Sequence, residues 1–230
     1  MTACMLELEN VSVEINGRKL LSNLSFKLEK GEHVALMGLN GSGKTTILNV
    51  VGGLLKFSGT VKVCDTILTG KTIKNIRKNV GYLFNVPEEQ LLFPRICDDV
   101  AWELINSGMD KKRAMEKALE TLEILHIGHL AERSIHELSH GQKQRSALAG
   151  IIAAEKPLWL LDEPSSGLDP VAKRDLGTLI EKHSDVTILC ALNDTDFAEK
   201  YFSRIIFIED GTLVSANSSI STVKKTWDLI

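Results

Sequence analysis

HVALMGLNGSGKTT, residues 33–46, decides the fold of this 230-residue chain. It opens as a short, nearly continuous apolar run, His33–Leu39, which reads as a buried strand. Gly38-Leu39-Asn40-Gly41-Ser42-Gly43-Lys44-Thr45 matches G-x-x-x-x-G-K-[ST], and a helix begins at about Lys44. Strand, glycine-rich turn and helix, in that order, are the frame in which this motif holds phosphate. The glycines let backbone N–H groups close around phosphate oxygens, and the helix start adds partial positive charge. Gly38, Asn40, Gly41, Ser42, Gly43, Lys44, Thr45 and Thr46 are therefore expected to bind nucleotide. Lys44 is expected to reach the β- and γ-phosphates, and the Thr45 hydroxyl to ligate magnesium.

LWLLDE, residues 158–163, supplies the other half of that chemistry. An apolar strand parallel to the first and ending in a carboxylate puts Asp162 beside the magnesium. Glu163 then projects toward the γ-phosphate, where it polarises a water. The expected reaction is phosphoryl transfer to water, with ATP and Mg2+ as the bound species.

Working outward, Val80–Phe84, Thr187–Leu192 and Arg204–Glu209 are further short apolar runs with helical segments between several of them. That alternation implies a mostly parallel sheet covered on both faces. Leu6–Val13 alternates apolar and polar residues, and Asn16-Gly17 signals a turn, so the opening roughly 30 residues read as an antiparallel meander. Between Asp98 and Ala154 strand signals stop, and Met115, Leu119, Leu122 and Leu125 fall on one helical face. The fold class is α/β: a P-loop NTPase core with a mostly parallel sheet, an N-terminal β meander and an all-helical insertion. One domain over 1–230 is expected, with its core in 1–97 and 155–214, helices in 98–154 and a short polar tail, 215–230.

With 27 basic and 30 acidic side chains the formal net charge is −3, which argues against nucleic acid as the main partner. Asp110-Lys111-Lys112-Arg113 is short and opens a helix, so it reads as a solvated face. Trp102, Trp159 and Trp227 are too dispersed to form a base-stacking surface. Cys4, Cys64, Cys97 and Cys190 form no C-x-x-C pair and fit free thiols in a reducing compartment. His33, His126, His129, His136 and His183 show no metal-ligand spacing and read as structural or surface groups. Ile47–Leu55 and Ala147–Ala154 fall well short of the roughly 18 apolar residues of a membrane span. MTACMLELEN lacks the regions of a signal peptide. A cytoplasmic chain is expected, with any membrane role exercised through a partner.

Leu138-Ser139-His140-Gly141-Gln142 adds a third motif. Ser139 with Gln142 fits a capping box and marks a helix start, while the glycine leaves N–H groups open to an anion. Alone, it is an ordinary helix cap. Together with GLNGSGKTT, LWLLDEP and SSGLD (Ser165 to Asp169), LSHGQ makes the chain resemble the ATP-binding-cassette (ABC) ATPases over nearly its whole length. In that family two subunits sandwich two ATPs head to tail. The resemblance implies that Ser139, Gly141 and Gln142 face the γ-phosphate held by a second ABC ATPase subunit, with Asp169 in the adjoining loop. NVGYLFNVPEEQLLFPRICDDVAWEL, residues 79–104, including Gln90, resembles more narrowly the energy-coupling-factor (ECF) importer ATPases, and GQKQRSALAG and DEPSSGLDP fit the same class. Those importers take up vitamins or transition-metal ions. The resemblance implies as partners a transmembrane coupling protein and a small membrane substrate-binding protein, and a peripheral place on the cytoplasmic face of the membrane. Leu91, Leu92, Phe93 and Asp98–Asp99 are expected to line a groove for a coupling helix. The competing reading is core packing plus a helix start, where acids are favoured anyway.

Four positions depart from the family pattern. Ile15 stands where an aromatic residue stacks on adenine; it packs against a base but has no π face. Asn85 replaces the glutamine that senses magnesium and the attacking water. Asn193 replaces the histidine that contacts the γ-phosphate, and it donates a hydrogen bond without carrying imidazolium charge. His140 stands where glycine is common. Since Lys44, Asp162 and Glu163 remain, the expectation is a site that binds Mg–ATP and hydrolyses it slowly, asymmetrically with a more active partner. Three alternatives stay open: normal turnover, a soluble ABC ATPase such as an iron–sulfur-assembly ATPase, and a low-turnover ATP-binding regulator.

Overall fold

Asn16 and Gly17 turn the chain with both residues in the left-handed region, φ +51° and +78°, which suits a two-residue hairpin turn. They join β1 (Cys4–Ile15) to β2 (Arg18–Glu29) in an antiparallel pair. The structure, a computed structural model, describes residues 4–218. Within these, 4–80 and 157–218 form one compact unit and 81–156 a second.

After β2 come β3 (His33–Met37), α1 (Lys44–Val51), β4 (Ser58–Val63), β5 (Thr66–Ile67) and α2 (Ile73–Arg77). Then β6 (Val80–Leu83) leads into the second unit, with α3 (Ile96–Asn106), α4 (Lys111–Ile124) and α5 (His140–Ala153). The chain returns through β7 (Leu158–Asp162), α6 (Pro170–Lys182), β8 (Thr187–Leu192), α7 (Thr195–Tyr201), β9 (Arg204–Glu209) and β10 (Thr212–Ser218). The order β2-β1-β4-β5 makes an antiparallel sheet. In the other sheet of the first unit the order is β10-β9-β3-β8-β7, parallel except for β10. Every residue of β7 and β8 is buried, as the unbroken apolar runs require of strands covered on both faces.

The strand carrying Asp162 is parallel to β3 as expected, but β8 lies between them. Met37 pairs with Leu192, and Asp162 with Ala191. The C-terminal ends of β3, β8 and β7 are thus level, the edge at which open parallel sheets bind ligands. At the opposite edge His33 Nε2 lies 3.2 and 3.1 Å from the His183 and Val186 carbonyls, and the His183 ring packs on Trp159. Both histidines are structural.

Three expectations shift. The buried face of α4 is Ala114, Ala118, Thr121 and Leu122, continuing to Leu125, whereas Leu119 is 41% exposed. Small residues let α4 pack closely on α3 and α5, and leucine on the next position round the helix is turned outward. Ser215 to Ser218, assigned to the polar tail, extend β10 and pair with β9. The rest of that tail, 219–230, with Trp227, lies outside the described residues. The second unit also begins ahead of the helical stretch, at Gly81, taking in the segment that carries Asn85.

Candidate functional site

The loop 38–43 leaves β3 and enters α1 with no side chain capping the helix. Gly43 is the N-cap at φ +108°, in a region closed to residues with a Cβ; one built there would lie 2.7 Å from Leu21 Cδ2. Backbone N–H groups of the first turn therefore keep no intrahelical partner. The loop is braced from outside. The Gly211 N–H donates to Ser42 O (2.9 Å), and the Ser22 N–H donates to Gly211 O (2.8 Å). Gly211 has φ +72°, and a Cβ there would collide with the Leu20 carbonyl.

Lys44 is only 7% exposed. Its Nζ donates to Gly38 O (2.7 Å), Leu39 O (3.2 Å) and Asn193 Oδ1 (3.0 Å). Burial lowers its pKa, and Glu163 and Asp162 push the other way. Asp162, at the end of β7, is buried, accepts a hydrogen bond from the Thr45 side chain, and keeps Oδ1 without a hydrogen-bond partner. Burial raises its pKa against the Thr45 bond and Lys44. Glu163 follows at φ +51°, held by its N–H on Ala191 O (3.0 Å). A non-glycine residue there costs about 1–3 kcal/mol, strain of the kind kept at functional sites. Its Oε2 accepts from the Asn193 N–H at 3.3 Å. Burial raises the Glu163 pKa too, with Lys44 opposing.

A buried carboxylate oxygen without a partner, next to a threonine hydroxyl, is a hard-oxygen pair that suits Mg2+, which takes one or two protein oxygens plus substrate phosphates and water. Among the described residues no group of three or more His, Cys, Asp or Glu forms a cage of protein ligands.

Asn193, beyond the end of β8, joins this cluster: besides Lys44 and Glu163, its Nδ2 donates to Asn40 Oδ1 at 3.0 Å. Asp169 caps α6, accepting from the Val171 and Ala172 N–H groups at 2.9 Å each. Ile15 ends β1 and is 41% exposed.

In the second unit, Asn85 is exposed between β6 and a 3-10 turn at Pro87–Glu89. Gln90 Oε1 accepts from the Phe84 N–H, closing that loop (3.1 Å). At the start of α5 both halves of the capping box form: the Gln142 N–H donates to Ser139 Oγ (3.4 Å) and the Ser139 N–H to Gln142 Oε1 (2.9 Å). Gly141 lies in the first turn and His140 is exposed. Asp98 pairs with Arg95 (2.6 Å), and Asp99 Oδ1 accepts from the Leu92 and Phe93 N–H groups at 2.7 and 3.0 Å. Both carboxylates thus have partners inside the unit. Of the apolar residues grouped with them, Leu91 is core and Leu92 is 75% exposed, while the Phe93 ring packs 5.0 Å from that of Trp102, itself 47% exposed.

Two supporting contacts escaped the sequence reading. Asp210-Gly211 carries a hairpin signal, but nothing local ties it to the phosphate loop. Lys173 holds Asp194 at 2.7 Å, and Asp194 caps α7 through the Phe197 N–H, fixing the neighbour of Asn193.

The sequence profile of the ABC transporter family matches residues 21–166. The chain is similar to the energy-coupling factor transporter ATP-binding protein EcfA2 of Streptococcus pneumoniae, 40% identical over 202 residues that cover 84% of this chain and 72% of the relative. It is similar to the EcfA2 of Acetivibrio thermocellus, 33% identical over 214 residues, 91% of this chain and 76% of that one. Among solved structures it resembles cbiO1 from Clostridium perfringens, part of the ABC transporter complex cbiONQ. There the TM-score is 0.83 at 26% identity, covering 99% of this chain and 93% of that chain. It also resembles a dimeric ATP-binding cassette in a post-hydrolysis state bound to ADP and Pi, with TM-score 0.84 at 28% identity over 92% and 97% of the two chains.

Proposed function

This chain belongs to the ABC transporter family as one of its ATP-binding, ATP-hydrolysing subunits, and we propose that it is a motor of an ECF-type importer for a vitamin or transition-metal ion. The observation that carries the catalytic part is the meeting, at one edge of the sheet, of Lys44, Asp162 with its free oxygen beside Thr45, and Glu163. Lys44 and the open start of α1 hold the phosphates, with Gly38, Asn40, Gly41, Ser42, Gly43 and Thr46 forming the cradle. Thr45 and Asp162 hold Mg2+, which when bound neutralises charge on the phosphates. Glu163, kept basic enough by burial to take a proton, orients the attacking water. Asn193 contacts the third phosphate, and Ile15 packs on the base.

The importer class is supported by the ECF-type relatives and by the structure from the cbiONQ complex. In this reading the chain pairs head to tail with a second ABC ATPase, presenting Ser139, Gly141, Gln142 and Asp169 to the partner's ATP. Closure on ATP moves a transmembrane coupling protein and a membrane substrate-binding protein. Leu92, Phe93 and Trp102 form the apolar surface that receives them, from the cytoplasmic face. Among the described residues no helix is long and apolar enough to cross a membrane.

Purification of the tagged chain from native membranes in mild detergent tests this. Recovery of a coupling protein, a small membrane binder and a second ATPase is expected. Recovery from the soluble fraction alone would replace the importer with an assembly or regulatory ATPase. Turnover is slow in this reading, because asparagine at 85 and 193 offers a shorter reach and no imidazolium charge. Asn193→His in the assembled complex should raise the rate, and an unchanged rate would remove that part of the proposal.

A further inference from the structure

Charge is unevenly spread along this chain. Residues 54–78 hold six basic side chains and a single acid, Asp65, in a chain whose totals are 27 and 30. The segment lies wholly within the first unit. It borders a groove of about 530 Å3 formed by the loop after α1, β5 and α2, lined by Leu54, Leu55, Phe57, Leu68 and Ile73 with Lys56 among them. Among the described residues no acid lines it. Local contacts hold the three pieces together. Gly53 turns the chain at φ +67°, where a Cβ would lie 2.7 Å from Ile73 Cδ1. Thr72 Oγ1 donates to Ile67 O (2.6 Å), and Arg77 Nη2 donates to Gly53 O (3.1 Å). Lys62 pairs with Asp65 at 3.4 Å, so the Arg77 and Lys62 charges are engaged within the fold. Lys56, Lys71, Lys74 and Lys78 are exposed. The last three follow one another at helical spacings of three and four, which line them up on one side of α2. Beside them Leu54 is 47% and Ile67 54% exposed.

We propose that this basic-rimmed apolar face rests directly on an anionic lipid surface, with Leu54 and Ile67 at the headgroup–acyl boundary and Lys56, Lys71, Lys74 and Lys78 on lipid phosphates. A soluble polyanion satisfies the lysines but leaves the two aliphatic side chains in water. A lipid interface takes both, the apolar groups by burial and the ammonium groups by the negative surface potential. The chain as a whole is acidic, at −3, so an anionic surface repels most of it and attracts this face. The contact therefore sets orientation as well as affinity. The inference does not depend on the importer reading, because it needs no membrane protein.

Vesicle flotation of the purified full-length chain tests it, with phosphatidylcholine alone and with phosphatidylcholine mixed equally with phosphatidylglycerol. The chain should partition onto the mixed vesicles and not the neutral ones, and added salt should weaken the binding. Replacing Lys71, Lys74 and Lys78 together by glutamine should lower the partition coefficient about a hundredfold, at about fivefold for each lysine near an anionic surface. Ile67→Ser should lower it about fivefold, by removing part of the buried apolar area. Replacing Lys111, Lys112 and Arg113 together by glutamine removes the same charge from the start of α4, and should leave the partition unchanged. Melting temperatures report that each variant is folded. A wild-type chain without preference for the mixed vesicles, or an equal loss in the α4 variant, would overturn the proposal. An Ile67→Ser chain that bound like the wild type, with heparin competing the chain off the vesicles, would replace the lipid surface with a soluble polyanion.

Discussion

Helices α1 and α5 begin in the same way in sequence, with small polar residues and glycine, yet they treat their free N–H groups differently. At α5 the protein satisfies its own donors: Ser139 and Gln142 close a reciprocal capping box. Asp110, Asp169 and Asp194 do the same for α4, α6 and α7. At α1 the cap is Gly43, with no side chain to offer, and the nearest one, Ser42 Oγ, is buried without a partner. Unfilled donors beside a buried lysine, a buried carboxylate and a half-buried one lower stability unless something occupies them. The contrast teaches that an anion-ready helix start is identified by what the chain withholds from it. A ligand at α5 must compete with the box, whereas at the start of α1 no side-chain cap stands in its way.

The comparison breaks most sharply at Lys44. Lys44→Ala should lower ATP hydrolysis by about a hundredfold or more, the usual loss when a preorganised donor to transferring phosphate is deleted. A steady-state ATPase assay checks it, and persisting activity would mean that the start of α1 is not the phosphate site. Next in size is Gly43→Ala, which forces a Cβ into the left-handed region against Leu21. Urea denaturation should register about 1–2 kcal/mol of lost stability. Ser139→Ala opens the capped helix and should cost about 1 kcal/mol; a negligible loss by the same measurement would mean that the box does not stabilise α5.

The smallest effect sharpens the point about unfilled charge. Asp162 and Glu163 both have pKa values raised by burial. In the interval above the ordinary carboxylate range, about pH 4, the native state holds protons that the unfolded chain has released. Stability of the nucleotide-free chain therefore falls as pH rises through that interval up to the raised values. Asp162→Asn should flatten part of the slope and raise the melting temperature at neutral pH while removing a magnesium ligand. Melts of both proteins across that interval measure it, and an unchanged slope would mean that burial of Asp162 is not destabilising.

Legibility in the sequence followed the range of the interaction. Capping of α4 by Asp110, the box at Ser139 and the Asn16-Gly17 turn each need only a few neighbouring residues, and each could be read directly. The face of α4 was harder. Leucine spacing pointed to Leu119, but alanines at 114 and 118 decide which side meets α3 and α5. Asp98 and Asp99 were legible as a helix start. Their partners, Arg95 and the Leu92 and Phe93 N–H groups, emerged only once the loop before α3 was placed.

By itself the sequence determined the α/β class, the strand–loop–helix that cradles phosphate, the strand that ends in Asp162-Glu163 and the helix that begins at Ser139. These depend on hydrophobic period, on glycine where no Cβ fits, and on side chains that bond within a turn. Tertiary structure alone decided that β8 lies between β3 and β7, that Gly211 braces Ser42, and that Asn193 lies against Lys44 and Asn40. Those contacts join residues far apart in the chain, as in the 149-residue separation of Lys44 and Asn193. Such pairs meet only when the register of parallel strands brings their ends level, and register is a property of the assembled sheet.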